Sequence, residues 1–265
     1  MNRTQKYDAV QQNIAYHGSM LVAFSGGVDS SLLAVLARDV LGDKTQCVLL
    51  DSPLVPRAAI TEARQIARDH RLHLEIMPVP LMSDERFIKN PPDRCYYCKR
   101  IAAKSLKQRA AELGFTSVAD GMNITDTGEY RPGLITSTKE GIVHPFIETG
   151  ITKDDIRSIA QGSGYPFWNK PSAACLASRI PYGEEITAEK LMMIERAEAF
   201  IAGRGFAQVR VRLHGNVARI EIGKKDIRKL MTITEEVVQE LKSIGFSYIT
   251  VDLEGYRSGS MDEVL

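Results

Sequence analysis

The stretch Met20-Leu21-Val22-Ala23-Phe24-Ser25-Gly26-Gly27-Val28-Asp29-Ser30 decides the fold. Its first five residues form a short apolar run, bounded by Gly18 and by a Ser-Gly-Gly turn, which is the pattern of a buried strand. From 28 to 41 the apolar residues Leu32, Leu33, Val35, Leu36 and Val40 recur at helical spacing, and Gly42 supplies a stop. A strand that turns through two glycines straight into a helix brings bare backbone N–H groups and the positive end of the helix to one place. Such a place attracts phosphate. Ser25 and Ser30 add hydroxyl donors, and Asp29, in the first turn of the helix, is suited to a magnesium ion that bridges phosphates. The turn has neither the Gly-Lys-Ser/Thr ending of a Walker loop nor G-x-G-x-x-G spacing.

Working outward, the pattern predicts a helix over 4–15, a strand over 45–50, a helix over 61–70 with Thr61 as N-cap, and an extended stretch over 72–79. Strands and helices thus alternate, which implies parallel strands with helices packed on the sheet. Further along come a helix over 95–113, a strand over 116–119, a long Gly-, Thr- and Pro-rich loop over 125–150 and a helix over 153–163. An irregular stretch over 165–183 follows. Beyond Gly183 the order is helix 187–203, strands 208–213 and 217–222, helix 225–244 and strand 247–253. The expectation is an α/β domain over 1–183 and a smaller α+β domain over 184–265.

The 265 residues carry 34 Lys and Arg against 33 Asp and Glu, a formal charge of +1, so the totals show no electrostatic footprint for nucleic acid or an anionic membrane. Hydrophobic residues at 44% and charged residues at 25% are ordinary for a globular chain and exclude a disordered or fibrous one. The first 18 residues have no apolar core of a secretory signal, and no apolar run approaches the roughly 20 residues of a membrane span. Four cysteines do not make a disulfide scaffold. These features together predict a cytoplasmic enzyme.

Cys95-Tyr96-Tyr97-Cys98 places two sulfurs within reach of one metal at the start of a helix, and Cys175 lies in the irregular stretch. Cys47 sits within the second strand, where an inert buried thiol is expected. A C-x-x-C pair alone reads as a zinc half-site, a redox pair, part of an iron-sulfur site, or simple packing. A Cys3His zinc site would draw on His144 or another of the five histidines, none of which is spaced near a cysteine. Three cysteines without a fourth ligand are what a cluster with one open iron needs. Arg210 and Arg212 alternate along a strand and so share a face, which suits either a phosphate or carboxylate site or a solvated surface. Arg257 follows the last strand, and Glu198 reads as a surface residue or a metal ligand.

The Ser-Gly-Gly-x-Asp-Ser turn resembles the phosphate loop of the PP-loop ATP pyrophosphatases, which have the adenine nucleotide alpha-hydrolase-like fold. The resemblance implies that the loop grips the pyrophosphate of ATP while a substrate oxygen attacks the α-phosphorus, making AMP a leaving group. Further segments narrow the branch: Asp120-Gly121-Met122, Tyr130-Arg131-Pro132-Gly133-Leu134, Trp168-Asn169-Lys170, Ser178-Arg179 with Pro181-Tyr182-Gly183, Val209-Arg210-Val211-Arg212, Ala218-Arg219-Ile220-Glu221 and Gly255-Tyr256-Arg257-Ser258-Gly259. In that order they are similar to the LarE-type ATP-dependent sulfur transferases of nickel-pincer nucleotide biosynthesis.

The resemblance implies ATP and Mg2+ at Ser25, Gly26, Gly27, Asp29, Ser30 and Gly121, with Asp29 on the magnesium. It implies a nicotinate-derived substrate, pyridinium-3,5-dicarboxylate mononucleotide, at Ser178, Arg179, Arg210, Arg212 and Arg257. Cys95, Cys98 and Cys175 become the catalytic sulfur centre, holding a [4Fe-4S] cluster. Other members sacrifice the sulfur of a single cysteine, and their position falls on Ala174 here, one residue before Cys175, which favours the cluster. A ring-like homo-oligomer such as a hexamer is implied as well, with no membrane partner and nucleic acid disfavoured. The competing readings are a PP-loop tRNA thiolase, sacrificial sulfur transfer from Cys175, an amidating ligase and a nucleotide-sensing module without turnover.

Overall fold

A computed structural model describes residues 2–127, 132–171, 174–257, 259–261 and 263, with the side chains of 132–135 outside the description. The chain divides into two compact units, one of residues 1–81 with 95–173 and the other of 82–94 with 174–265. The second unit thus begins about ten residues ahead of the expected boundary and also takes up an excursion from the first half of the chain.

In chain order the first segment forms α1 (Arg3–Tyr16), β1 (Met20–Ala23), α2 (Val28–Leu41), β2 (Thr45–Asp51), α3 (Arg57–Asp69) and β3 (Leu74–Pro78). The excursion carries α4 (Glu85–Ile88). Then come α5 (Arg94–Leu113), β4 (Ser117–Ala119), α6 (Ile124–Thr127), α7 (Pro132–Lys139), α8 (Pro145–Glu148) and α9 (Lys153–Gly162). The remaining chain forms α10 (Ala188–Gly203), β5 (Val209–His214), β6 (Val217–Ile222), α11 (Ile227–Met231), α12 (Thr234–Ile244) and β7 (Tyr248–Val251).

In the first unit four parallel strands run in the order β3-β2-β1-β4. Met20, Leu21 and Val22 are wholly buried because β1 is an inner strand covered on both faces. α2 is buried along almost its whole first half, since it packs on the sheet side and against α1 and α9 as well. The chain leaves β1 towards β2 and β3 on one side and returns to β4 on the other. That reversal opens a crevice at the carboxyl ends of β1 and β4, where sheets of this kind bind ligands.

Several expectations are revised. α3 starts four residues early at Arg57 with Pro56 in the cap position, and Thr61 lies inside it, its hydroxyl donating to the Arg57 carbonyl at 3.2 Å. The expected loop over 125–150 holds α7, α8 and a strand-like bridge from Val143 to Ala119. The motif residues Tyr130 and Arg131 fall outside the described residues, as does Ser258. The helix expected over 225–244 is broken between α11 and α12, where Thr232, Ile233 and Thr234 place three β-branched residues in a row.

In the second unit β5 and β6 are antiparallel, joined by a tight turn in which Gly215 adopts φ +56°, and β7 runs parallel to β6. Val209, Val211 and Leu213 share one face of β5 and are buried, with α10 packed against that strand. The opposite face carries Arg210, Arg212, Arg219 and Glu221. Among the described residues no helix is long and apolar enough to cross a membrane.

Candidate active site

In the first unit the turn after β1 opens into a cavity of about 490 Å³, whose wall includes Ser25, Gly27, Asp29, Ser30, Asp120 and Gly121. The turn is held in shape by its own hydroxyls. The Ser25 and Ser30 hydroxyls share a hydrogen bond of 2.9 Å, the Ser25 N–H donates to Ser30 Oγ at 3.1 Å, and the Gly27 N–H donates to Ser25 Oγ at 3.3 Å. Gly26 has φ +69°, and a Cβ there would come within 2.8 Å of the Ala63 Cβ, so the position requires glycine. Its carbonyl accepts a 2.9 Å hydrogen bond from Lys170 Nζ, which also pairs with Glu62 at 2.7 Å.

Gly121, at the end of β4, lies so close to the start of α2 that a Cβ on it would stand 2.7 Å from the Ser30 nitrogen. Bare backbone from two neighbouring strands thus meets at the helix N-terminus, the arrangement expected of a phosphate cradle. Asp29 Oδ2 is paired with Lys153 Nζ at 2.5 Å, while Asp29 Oδ1 is buried with no partner among the described residues. An anionic oxygen left over beside a phosphate cradle fits a hard divalent cation such as Mg2+.

The cavity's far wall is α5, which contributes Lys99, Ala102, Ala103 and Leu106. Cys95 stands four residues before Lys99 and Cys98 four before Ala102, so the C-x-x-C pair extends this helix face by about one turn, roughly 6 Å. Cys95 is exposed and Cys98 half-buried, and neither is in a disulfide. Cys47 is buried and its thiol is pushed up to about 12 by desolvation, in line with an inert core residue. His144 has both ring nitrogens engaged, Nδ1 with Asp120 Oδ1 at 2.7 Å and Nε2 with Thr138 Oγ1 at 2.9 Å, so it is a structural histidine rather than a free zinc ligand.

Cys175 belongs to the second unit, where it is exposed and its thiol free. Its carbonyl accepts from Arg179 Nη1 at 2.9 Å and from the Ser178 hydroxyl at 2.8 Å. Arg179 is 2% exposed and is further paired with Glu198 at 2.9 Å, and Glu198 accepts from the Val211 N–H at 3.0 Å. Glu198 is therefore neither a surface residue nor a free metal ligand. Arg212 donates twice to the fully buried Glu221, at 3.0 and 2.8 Å, and once to the Ser178 carbonyl at 3.0 Å. Arg219 and Ser260 complete the shell around Glu221. Arg257 pairs with Glu254 and Glu263.

Arg210 differs from these. It donates to its own Val209 carbonyl at 2.7 Å and lies 5.4 Å over the Tyr256 ring. Burial, and next the neighbouring Arg179 cation, push its guanidinium below the usual range. An anion bound there would offset that local excess of positive charge.

The residues expected to bind the nucleotide are thus gathered in one place. Among the described residues no group of three or more His, Cys, Asp or Glu side chains gathers to hold a metal. The sequence reading named Asp120 and Lys170 only as parts of matching segments, with no role, and missed Lys99 and Lys153, which helices elsewhere in the chain contribute to the cavity and to Asp29. The local signal for Lys153 is its place at the head of a capped helix.

The NAD synthase family model matches residues 4–119. A Synechocystis protein of uncharacterized function is 40% identical over 92% of this chain and 92% of its own length. The pyridinium-3,5-bisthiocarboxylic acid mononucleotide synthase of Lactiplantibacillus plantarum is 36% identical over 92% of this chain and 89% of its own length. An uncharacterized Methanocaldococcus jannaschii protein is 32% identical over 90% and 91%. A preformed phosphate cradle with this coverage leaves one assignment: the chain belongs to the LarE-type family of ATP-dependent sulfur transferases within the PP-loop ATP pyrophosphatases.

Proposed function

We propose that the enzyme converts the carboxylates of pyridinium-3,5-dicarboxylate mononucleotide to thiocarboxylates, using ATP and Mg2+ and a [4Fe-4S] cluster on Cys95, Cys98 and Cys175. The observation that carries this reading is the face of α5, on which the two cysteine sulfurs of the C-x-x-C pair continue the wall of the nucleotide cavity. The name of the Lactiplantibacillus relative supports the substrate, being that of an enzyme making the bisthiocarboxylic acid mononucleotide.

In the first step the backbone N–H groups of the glycine turn, Gly121 and the hydroxyls of Ser25 and Ser30 orient the triphosphate. Asp29 holds the cation against it. A substrate carboxylate oxygen attacks the α-phosphorus, the bond to the bridging oxygen breaks, and pyrophosphate leaves. The carboxyl carbon is now an acyl adenylate. In the second step a sulfur nucleophile adds to that carbon and AMP departs with the former carboxylate oxygen. The cluster, when bound, supplies this sulfur. Arg210 takes the substrate's phosphate, while Arg179 and Arg212, through Glu198 and Glu221, fix the strand that presents it and the turn that carries Cys175. The fit of the cluster rests on donor chemistry: three cysteine sulfurs outside any disulfide, two of them on exposed residues.

One observation favours a second reading, transfer of Cys175's own sulfur. Cys175 is exposed on a turn clamped by Arg179. Iron and sulfide analysis of anaerobically prepared protein separates the two. About four irons per chain, lost in Cys95→Ser, supports the cluster. Iron-free protein whose mass falls by one sulfur at Cys175 after a turnover supports the sacrificial reading. Failure of the dicarboxylate mononucleotide to release pyrophosphate from ATP overturns the substrate assignment.

A further inference from the structure

A second concavity of about 590 Å³ lies in the first unit between α3 and the open edge of the sheet, and it shares no lining residue with the nucleotide cavity. Its rim carries Arg64, Arg68 and Arg71, all exposed, and no acidic residue lines it. Arg68 donates to the neutral side chain of Gln65 at 2.6 Å; the guanidiniums of Arg64 and Arg71 make no hydrogen bond or ion pair among the described residues. The floor is apolar, formed by buried Leu72 and half-buried Leu74 and Ile76.

β3 is an edge strand, with no strand paired on its outer side among the described residues. The Cys47 N–H donates to the His73 carbonyl at 2.8 Å and the Val79 N–H to the Asp51 carbonyl at 2.9 Å. Bonding alternates along a parallel ladder, so residues 73, 75, 77 and 79 face β2, and the backbone groups of Leu74 and Ile76 point to the open edge. The same two residues floor the groove. An edge of this kind is a template for another strand.

Arg71 itself is held at φ +51°, one of two non-glycine residues with positive φ among the described residues. It occupies the position after the α3 cap, where the Leu72 N–H reaches back to the Ala67 carbonyl at 2.8 Å, a C-terminal motif that favours glycine. A guanidinium stands where the backbone asks for no side chain, and strain of that sort accompanies binding sites.

We propose that this groove binds an extended acidic segment of a partner protein, which adds as a strand to β3 and sets carboxylates against Arg64, Arg68 and Arg71. Alternating apolar side chains of the segment would lie on Leu72, Leu74 and Ile76. The apolar floor and unpaired strand edge match a peptide backbone and offer nothing to the phosphates of a nucleic acid.

The test is fluorescence anisotropy of a labelled peptide alternating valine and glutamate, titrated with the full chain at low salt. Binding is expected to weaken about tenfold or more in Arg64→Glu/Arg68→Glu, and to be lost when alternate peptide nitrogens are methylated. Arg71→Gly is expected to weaken binding while raising the melting temperature, because glycine relieves the backbone at that position. AMP formation stays at the wild-type rate in every variant. No binding, equal binding of a valine-lysine peptide, indifference to these substitutions or to methylation, displacement by tighter-binding oligouridylate, or a lower melting temperature for Arg71→Gly would each overturn the proposal.

Discussion

Gly121 shows how much a single hydrogen can decide. A methyl group there would collide with backbone atoms of Asp29 and Ser30, which no rotamer change can relieve. Gly121→Ala is therefore expected to displace the head of α2 and lower the rate of pyrophosphate release by about 100-fold. Steady-state assays with ATP varied check this; an alanine enzyme within a few-fold of wild type would remove Gly121 from the cradle. The four thiols separate by burial in the same way. In the folded, iron-free chain a thiol-reactive dye should label Cys95, Cys98 and Cys175 and reach Cys47 only on unfolding. The Cys47 thiol has the ordinary thiol value of 9.0 when unfolded and is pushed up to about 12 by burial when folded. A raised folded value means that the unfolded chain releases the proton first. This contribution to stability is complete below pH 9 and fades as pH rises towards 12. Urea unfolding between pH 8 and 10 should show the gap between wild type and Cys47→Ala shrinking by roughly 1.4 kcal/mol.

At the scale of elements, α10 illustrates a helix whose start is written in one side chain. The Thr187 hydroxyl accepts from the Lys190 N–H at 3.2 Å, and Thr187→Ala is expected to cost about 1 kcal/mol in urea unfolding. The helix was legible in the sequence over 187–203 without its cap being named, as were both ends of α2, because an apolar stripe and a terminal glycine are local signals. The helices within 125–150 were not. α6 and α8 have four residues each, too short to show a period, and tertiary contacts rather than propensity hold them. Thr61 misled because any threonine ahead of an apolar run imitates a cap, whereas Pro56, with its fixed φ, opens the helix one turn earlier. Among the site residues, the phosphate turn could be read because its chemistry lies in consecutive positions. Period-2 alternation placed Arg210 and Arg212 on one face, but their different roles depend on the register that brings Glu221 across from β6. Sequence alone gives no register across a hairpin until its turn is known. Lys153 and Lys170 are further cases, joined to the turn only through the folded chain.

At the scale of the whole molecule, the two units carry different halves of the proposed chemistry, the nucleotide cradle in the first and the arginine face in the second. A ligand that binds only the folded state stabilises it by RT ln(1 + [L]/Kd), about 2.7 kcal/mol at one hundred times Kd, so each half can be read separately by melting temperature. Asp29→Asn removes the charge that Lys153 and the cation share, and it should abolish the rise given by Mg-ATP while preserving the rise given by the dicarboxylate mononucleotide. Arg210→Ala should do the reverse. Its guanidinium makes no bond to a carboxylate among the described residues, so its removal strands no buried partner and the unliganded chain should melt near wild type. Arg212→Ala is a poor substitute for this purpose. It would leave the fully buried Glu221 short of its main cation, and a loss of roughly 3–5 kcal/mol would obscure any ligand effect. If Arg210→Ala keeps the full mononucleotide-dependent rise, the phosphate of the substrate is held elsewhere and the division of labour between the units fails.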